Sequence, residues 1–333
     1  MFRFAILVCL AAILPHMTAG AASFDCAKAS APREKVICSD PILSEADTHL
    51  NELYQSAMSK LSKEGGALLR DNQREWLHYL AQWCPIQPSV GQQANIAIMS
   101  CLGAAYSERI RDLEQAAVSK GPFLFSRVDH YSVTDMGTAS VVGDNGHARH
   151  QLSYPRIDQP ITPFTILWNQ AAIQADSVSG CDSGKGDTWT GYSLGLVTSR
   201  LISVTWTVYE YCHGTPHGFD SSSVETQILL PTPHPLQPDD LFRPDSAWRE
   251  QLTTLLLAEL RNAAVAGQYD LAWLDEAVIA NTVPDPQHWL VRSNGLAIQF
   301  DTYELGLGRS FNPDVTIPWT SLRDVMVSDP PVQ

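Results

Sequence analysis

The chain has 333 residues, 44% hydrophobic and 17% charged. That composition describes a globular protein long enough for two domains and speaks against a disordered or fibrous chain. The formal net charge is −14; nucleic acid is not an expected partner, because phosphate binding needs clustered cations, whereas a basic partner would be steered towards this surface.

Residues 1–21 fit a secretory signal. Arg3 is the charged start, Phe4 to Leu14 the apolar run, and Ala19, Gly20 and Ala21 a small-x-small cleavage site. The run is too short for a spanning helix of about 20 residues, and no later segment is long and apolar enough to span a membrane. The sequence therefore predicts a soluble exported protein, periplasmic or secreted. Without residues 1–21, whose single charge is Arg3, 21 basic residues stand against 36 acidic ones, a balance of −15. Cys9 falls inside the apolar run. Six cysteines remain: Cys26, Cys38, Cys84, Cys101, Cys181 and Cys212. An even count in an exported chain suggests disulfides but leaves the pairing open. Proximity in sequence favours Cys26–Cys38, Cys84–Cys101 and Cys181–Cys212. There is no CxxC motif, so a zinc-ribbon or thioredoxin-like reading is weak.

Residues 22–120 read as a helical domain. Ser30 is a candidate cap for a short helix, with Pro32 in its first turn and Cys38 at its end. A second helix starts near Pro41, with Leu43, Ala46, Leu50, Leu53, Ala57 and Leu61 at spacings of three and four, and Gly65-Gly66 is expected to end it. A third carries Leu69, Gln73, Trp76, Leu77, Leu80 and Trp83 and runs into Cys84. The loop after Pro85 leads to a fourth helix, from about Asn95 to Val118. The expectation is a small antiparallel bundle held by disulfides, with Arg74 and Gln73 as candidates for hydrogen bonds between helices.

The charge changes near residue 120. Residues 22–120 hold 10 basic and 12 acidic residues; residues 121–333 hold 11 and 24, a balance of −13. Together with Lys120, Gly121 and Pro122 this sets a boundary, and 121–333 reads as a second domain. Gln151 to Pro155 reads as a strand ending at its proline, and Pro163 to Ile173 as a helix. Tyr192–Thr198 and Leu201–Tyr211 read as paired strands, the second alternating Ile202, Val204, Trp206 and Val208 against Ser203, Thr205, Thr207 and Tyr209. Val224 to Leu230 is a further strand and Ala247 to Ala266 a long amphipathic helix. Trp289–Arg292 and Leu296–Phe300 flank a hairpin turn, and Trp319 to Val325 closes as a short helix. Helices on an antiparallel sheet make the fold class α+β.

Two resemblances follow from these residues. Phe24, Asp25 and Cys26, then Glu34 to Asp40, Leu53-Tyr54, Asp71 to Leu77, Cys84, Cys101-Leu102, Tyr106 and Arg109-Ile110 resemble the LprI-type lysozyme-inhibitor domain, over about 23–115 and including all four cysteines of that segment. Leu201 to Tyr211 with Gly214 to Gly218, Leu236 to Phe242, Gly295 to Gly306, and Val315 to Trp319 resemble the RsiV-type lysozyme-sensing extracytoplasmic domain, more loosely, over about 150–326. Cys212-His213 departs from that pattern. No anchor or sigma-binding segment is present, so transmembrane signalling does not carry over. Both resemblances imply lysozyme as a partner.

Among candidates for chemistry, His213 and His217 with Glu210 and Asp220 have the atom types of a metal site. Gly214, Pro216 and Gly218 make that stretch a loop, so turn structure and partner contact compete with ligation. Common hydrolase signatures are absent. Asp239-Asp240 and Asp275-Glu276 are candidate acid/base pairs, although adjacent acids more often begin a helix. No catalytic residue, metal or cofactor is implied. The leading expectation is a non-enzymatic protein that recognises or inhibits lysozyme or a related cell-wall hydrolase through loops 85–97, 179–189 and 213–222, with His213, His217, Asp182, Asp187 and Asp220 as candidate contacts. The alternatives are a peptidoglycan- or glycan-binding envelope module and a metal-dependent cell-wall amidase or deacetylase.

Overall fold

The computed structural model describes residues 22–86, 92–136, 146–171, 181, 186–230, 233–265, 275–300 and 315–332, with side chains of 92–95 left aside. The segment read as a secretory signal lies outside them. By internal contacts the chain divides into two compact units, residues 1–53 with 86–111, and residues 54–85 with 112–333. The fold is α+β, with a disulfide-bonded helical region followed by a mostly antiparallel sheet and its helices.

Four helices come first: α1 (Pro32–Ser39), α2 (Pro41–Lys60), α3 (Lys63–Trp83) and α4 (Gln92–Glu114). In the first unit, Cys26 and Cys38 are joined by a disulfide. Ala31, rather than Ser30, is the N-cap of α1, and Glu34 Oε2 accepts from the backbone N–H of Ser30 and Ala31. Those two amides hold the Glu34 carboxyl below its usual range. Ser44 on α2 donates to Ile37 O at 2.8 Å. Asp47 accepts from Tyr106 Oη at 2.9 Å and from the N–H of Ser23 at 2.7 Å. Burial, then the Asp47 charge, pushes the Tyr106 phenol up, so it stays a neutral donor.

Gly65 and Gly66 do not end a helix. They lie in the first turn of α3, where Ser62 is the N-cap and its Oγ accepts from Gly65 N. The reason lies on the sheet. The buried Asp158 accepts from Ser62 N at 2.7 Å and Ser62 Oγ at 2.6 Å, and a Cβ on Gly65 would stand 2.3 Å from its Oδ1. A carboxylate at a helix N-terminus also complements the helix dipole.

The large sheet takes its strands in chain order: β1 (Ala117–Lys120), β2 (Phe123–Asp135), β3 (His147–Gln159), β4 (Gly186–Val197), β5 (Leu201–Cys212), β6 (Phe219–Ile228) and β7 (His234–Pro235). All neighbours are antiparallel except β3 and β4, which pair in parallel only over His150–Leu152. Two sequence expectations need correction here. Ala117 and Val118 belong to β1 rather than to the fourth helix, and Gly121, at φ 55°, makes the β1–β2 turn. β3 runs straight through Pro155 to Gln159; past Leu152 it has no β4 neighbour, so a residue without an N–H costs no ladder bond on that side.

Helix α3 lies along β2 and β3. Asn72 Nδ2 donates to Asp129 O at 2.7 Å, Glu75 Oε1 accepts from Tyr131 N at 2.7 Å, Tyr79 packs on Tyr131, and Arg149 stacks over Trp83. Arg74, expected to bond between helices, pairs instead with Asp71 on α3 itself. Beneath this layer sits a buried cation. Arg127 Nε meets Asp129 Oδ1 at 2.6 Å, and its Nη2 meets Asp112 Oδ1 at 2.7 Å and Ser153 Oγ at 2.6 Å. Tyr131 Oη and Gln151 Nε2 donate to the second Asp112 oxygen.

Two apolar cores complete the second unit. One joins Phe123, Phe125, Ile157, Ile202, Val204 and Trp206 with Trp168 of α5 (Pro163–Ala171). The other gathers Leu201 and Ile228 under the C-terminal elements: α6 (Pro238–Leu241), α7 (Trp248–Val265), α8 (Glu276–Thr282), a hairpin of β8 (Trp289–Val291) and β9 (Gly295–Ile298), β10 (Thr316–Pro318) and α9 (Trp319–Leu322). At its centre Phe242 stacks on Trp248 and Trp289 meets both edge-on, with centroids 4.8 to 5.6 Å apart.

Replacing Arg127 with alanine leaves two carboxylates without their cation in the interior. A loss of about 3–5 kcal/mol is expected in urea unfolding. A loss under about 1 kcal/mol, in the range of a surface pair, contradicts this reading.

Candidate functional site

The candidate contacts converge on one end of the sheet, where β4 begins and the β5–β6 hairpin turns. Cys181 and Cys212 are joined by a disulfide. The pair opposite Cys212 across the ladder is Gly186. A Cβ there would stand 2.4 Å from Cys181 Sγ and 2.8 Å from Tyr211 O, so only glycine lets the bridge close over the strand. Glu210 Oε1 accepts from Cys181 N at 3.1 Å. Cys84 and Cys101 are also disulfide-bonded.

Asp187 accepts from Arg149 twice, from its backbone N–H at 3.0 Å and from Nε at 3.2 Å. His213 Nε2 lies 3.1 Å from the same carboxylate, and both side chains are largely buried, at 11% and 16% exposure. Asp187 and His213 therefore form an internal joint between strands. His217 is exposed, with Nδ1 near Gly218 O and its ring edge-on to Phe219. Asp220 is exposed on β6, opposite Tyr209. Asp182, residues 87–91 of the segment 85–97 and most of loop 179–189 lie outside the described residues, and α4 begins at Gln92 within the first of these segments. The segment 213–222 is only half loop, since β6 begins at Phe219.

Gly214, at φ 95°, turns the chain after β5, and Thr215 Oγ1 donates to Cys212 O at 2.7 Å. The two histidines are thus aimed differently, one at Asp187 and one at the turn. Among the described residues, the group with metal-ligand spacing is Cys181, Glu210 and Cys212. Its two sulfurs are bonded to each other and offer no thiolate. The paired acids behave as helix starts: Asp240 Oδ2 accepts from Gln237 N before α6, and Asp275 Oδ1 accepts from Ala277 N and Val278 N at α8.

Elsewhere in the second unit, a cleft of about 470 Å³ is lined by Leu68, Val128, Tyr154, Ile161, Ile166 and Asn169. Its polar rim is already paired. Arg156 holds Glu64 and Asp158, and the Asn169 amide closes on the backbone of Ile157. Sequence reasoning missed Arg149 and the exposed aromatics Trp189 and Phe219 near the hairpin end. The spacing of Trp189 before Gly191 and of Phe219 after Gly218 was the available signal.

Comparison with known proteins matches residues 26–113 to the family model described as "Lysozyme inhibitor LprI" and residues 239–320 to that described as "Protein of unknown function (DUF3298)". The first match covers the segment and cysteines of the first resemblance, and the second lies inside the span of the other. Similar solved structures include a DUF3298 family protein from Pseudomonas aeruginosa PAO1, at 13% identity and TM-score 0.40, covering 63% of this chain and 96% of its own. Another is a member of the same family from Bacteroides fragilis NCTC 9343, at 14% identity and TM-score 0.41, covering 65% and 98%. No curated protein matches the chain significantly. Among the described residues, no helix is long and apolar enough to cross a membrane.

Replacing both Cys181 and Cys212 with alanine removes a bridge across 31 residues of sequence. A loss of about 2–4 kcal/mol is expected in denaturant unfolding. An unchanged midpoint contradicts a stabilising role for the bridge.

Proposed function

We propose that this is an exported, non-enzymatic protein that binds lysozyme or a related cell-wall hydrolase and inhibits it. The observation that carries this reading is the match of residues 26–113 to the lysozyme-inhibitor model, with the disulfide-bonded cysteines inside it. Disulfides persist in oxidising compartments, which supports export to the periplasm or beyond. The balance of −13 over residues 121–333 favours a basic partner and adds steering to the encounter.

Inhibition of such a hydrolase requires no chemistry from the inhibitor. Lysozyme cuts glycans with two carboxylates in a cleft. A segment laid across that cleft excludes the substrate, and a segment held by a disulfide loses less conformational entropy on docking. The loops 85–97, 179–189 and 213–222 are the proposed contacts, with His217 and Asp220 at the exposed end, Asp187 and His213 beside them, and Asp182 a candidate from the sequence alone. Reading the protein as a metal-dependent amidase or deacetylase finds less support, since His213 faces Asp187 and the cysteine sulfurs are bonded to each other.

The test is the rate at which a basic lysozyme clears a cell-wall suspension in the presence of the purified protein. The rate is expected to fall in proportion to added protein and to recover partly as salt rises. An unchanged rate at large molar excess and low salt rejects inhibition.

A further inference from the structure

One side of β4, β5 and β6 carries a row whose aromatic chemistry the steering of a basic hydrolase does not account for. The ladder sets Trp189 directly opposite Tyr209, and Tyr209 directly opposite Asp220. Directly paired residues share a side of the sheet, so these three form one row. Trp189 is 37% and Tyr209 41% exposed. Further along the same side, Leu201, Ser203, Val224, Thr226 and Ile228 are buried, Leu201 and Ile228 beneath the C-terminal core. The aromatic end of the sheet is partly exposed where these residues further along the same side are buried.

Both rings lie down against glycine. A Cβ on Gly191 would stand 2.3 Å from Trp189 Cη2 and 2.5 Å from Cζ2. A Cβ on Gly218 would stand 2.5 Å from Tyr209 Oη and 2.6 Å from Cζ. The indole therefore rests over the backbone of Gly191, and the phenol tip rests against Gly218. Each ring is braced by a glycine and stays partly exposed. Hydroxyls flank them in the same rows: Thr207 is opposite Gly191 and Ser222, and Ser193 follows along β4.

The charge around this row is already used. Asp187 is held by Arg149 and His213, and Glu210 by the N–H of Cys181. Between residues 186 and 242 the one Lys or Arg is Arg200, in the β4–β5 turn at the opposite end of the strands. A braced aromatic pair edged by hydroxyls and Asp220 suits a ligand with flat C–H faces and hydroxyl edges. Pyranoses of the gluco configuration have both: axial C–H groups on each face, which meet the negative face of an aromatic ring, and equatorial hydroxyls that donate to a carboxylate.

We propose that this face binds a β-1,4-linked oligosaccharide of gluco-configured sugars, one ring stacked on Trp189 and a neighbouring ring on Tyr209, with Asp220 accepting from a hydroxyl. Adjacent strands about 4.8 Å apart bring both rings within reach of one short saccharide. A cationic peptide is the competing occupant, because aromatic faces also attract ammonium and guanidinium groups. It is the poorer fit, since Asp187 and Glu210 are spent inside the fold. The proposal does not rest on hydrolase inhibition, and its test contains no hydrolase.

The experiment titrates the full-length protein by calorimetry with hexamers of β-1,4-linked N-acetylglucosamine and of β-1,4-linked glucose. Saturable binding of at least one hexamer is expected, with little change as salt rises. Trp189→Ala and Tyr209→Ala should each weaken it by about ten-fold or more, whereas Trp189→Phe, which keeps an aromatic face, should weaken it less. Circular dichroism identifies any variant that fails to fold, and the other position then decides. Failure of both hexamers to saturate the wild type overturns the proposal, as does wild-type affinity in the folded alanine variants. Binding of an oligolysine peptide in place of sugar, weakening with salt, assigns the row to cations and also overturns it.

Discussion

The second unit is organised around one buried cation. Arg127 sits in the interior with Asp129 and Asp112 on two of its nitrogens and Ser153 closing the set. Burial alone would lower its pKa; Asp129 and Asp112 more than offset that, so it is raised and the charge is permanent. A charge in that position is tolerated only when paired and hydrogen-bonded. The pairing needs β2, β3 and Asp112 to meet at one point, and Tyr131 and Gln151 complete the coordination of Asp112. Asp158 does the same for the start of α3, fixing where the helix begins and requiring glycine at residue 65. Along the sheet, α3 is held by Asp158 at its start and by the bonds of Asn72 to Asp129 O and of Glu75 to Tyr131 N.

The periodic elements were legible because burial imposes a period. The α2 pattern, the alternation in β5, the α7 stripe and the β8–β9 hairpin all appear where hydrophobic spacing places them. Two disulfides follow sequence proximity, because the hairpin and the short α1 segment bring their cysteines together locally. What escaped the sequence were features decided by distant partners. Gly65 and Gly66 read as a helix stop, yet the carboxylate of Asp158, 96 residues from Ser62, makes them a helix start. Pro155 read as a strand end, yet the short β3–β4 pairing lets the strand continue. The expected role of Arg74 between helices was likewise replaced by a contact within its own helix.

The same distinction applies to the candidate site. The cysteines, His213 and Asp187 do meet at one end of the sheet, but Asp187 and His213 are spent on each other and on Arg149. They serve to hold β3, β4 and the hairpin turn together. What that joint presents to solvent is aromatic and hydroxyl-bearing: Trp189, Tyr209, His217 and Phe219 with Asp220. The chain thus combines a helical segment matching a lysozyme-inhibitor model with a braced sheet end of different chemistry.

Recognition of a basic cell-wall hydrolase is read most plainly from the complex itself. Sedimentation velocity of the purified full-length protein mixed with a basic lysozyme, at low and at physiological salt, reads association without depending on any assay of lysis. A faster-sedimenting species is expected at low salt, its population falling as salt screens the acidic surface. Two independent boundaries at low salt, with both proteins at micromolar concentration, would contradict it.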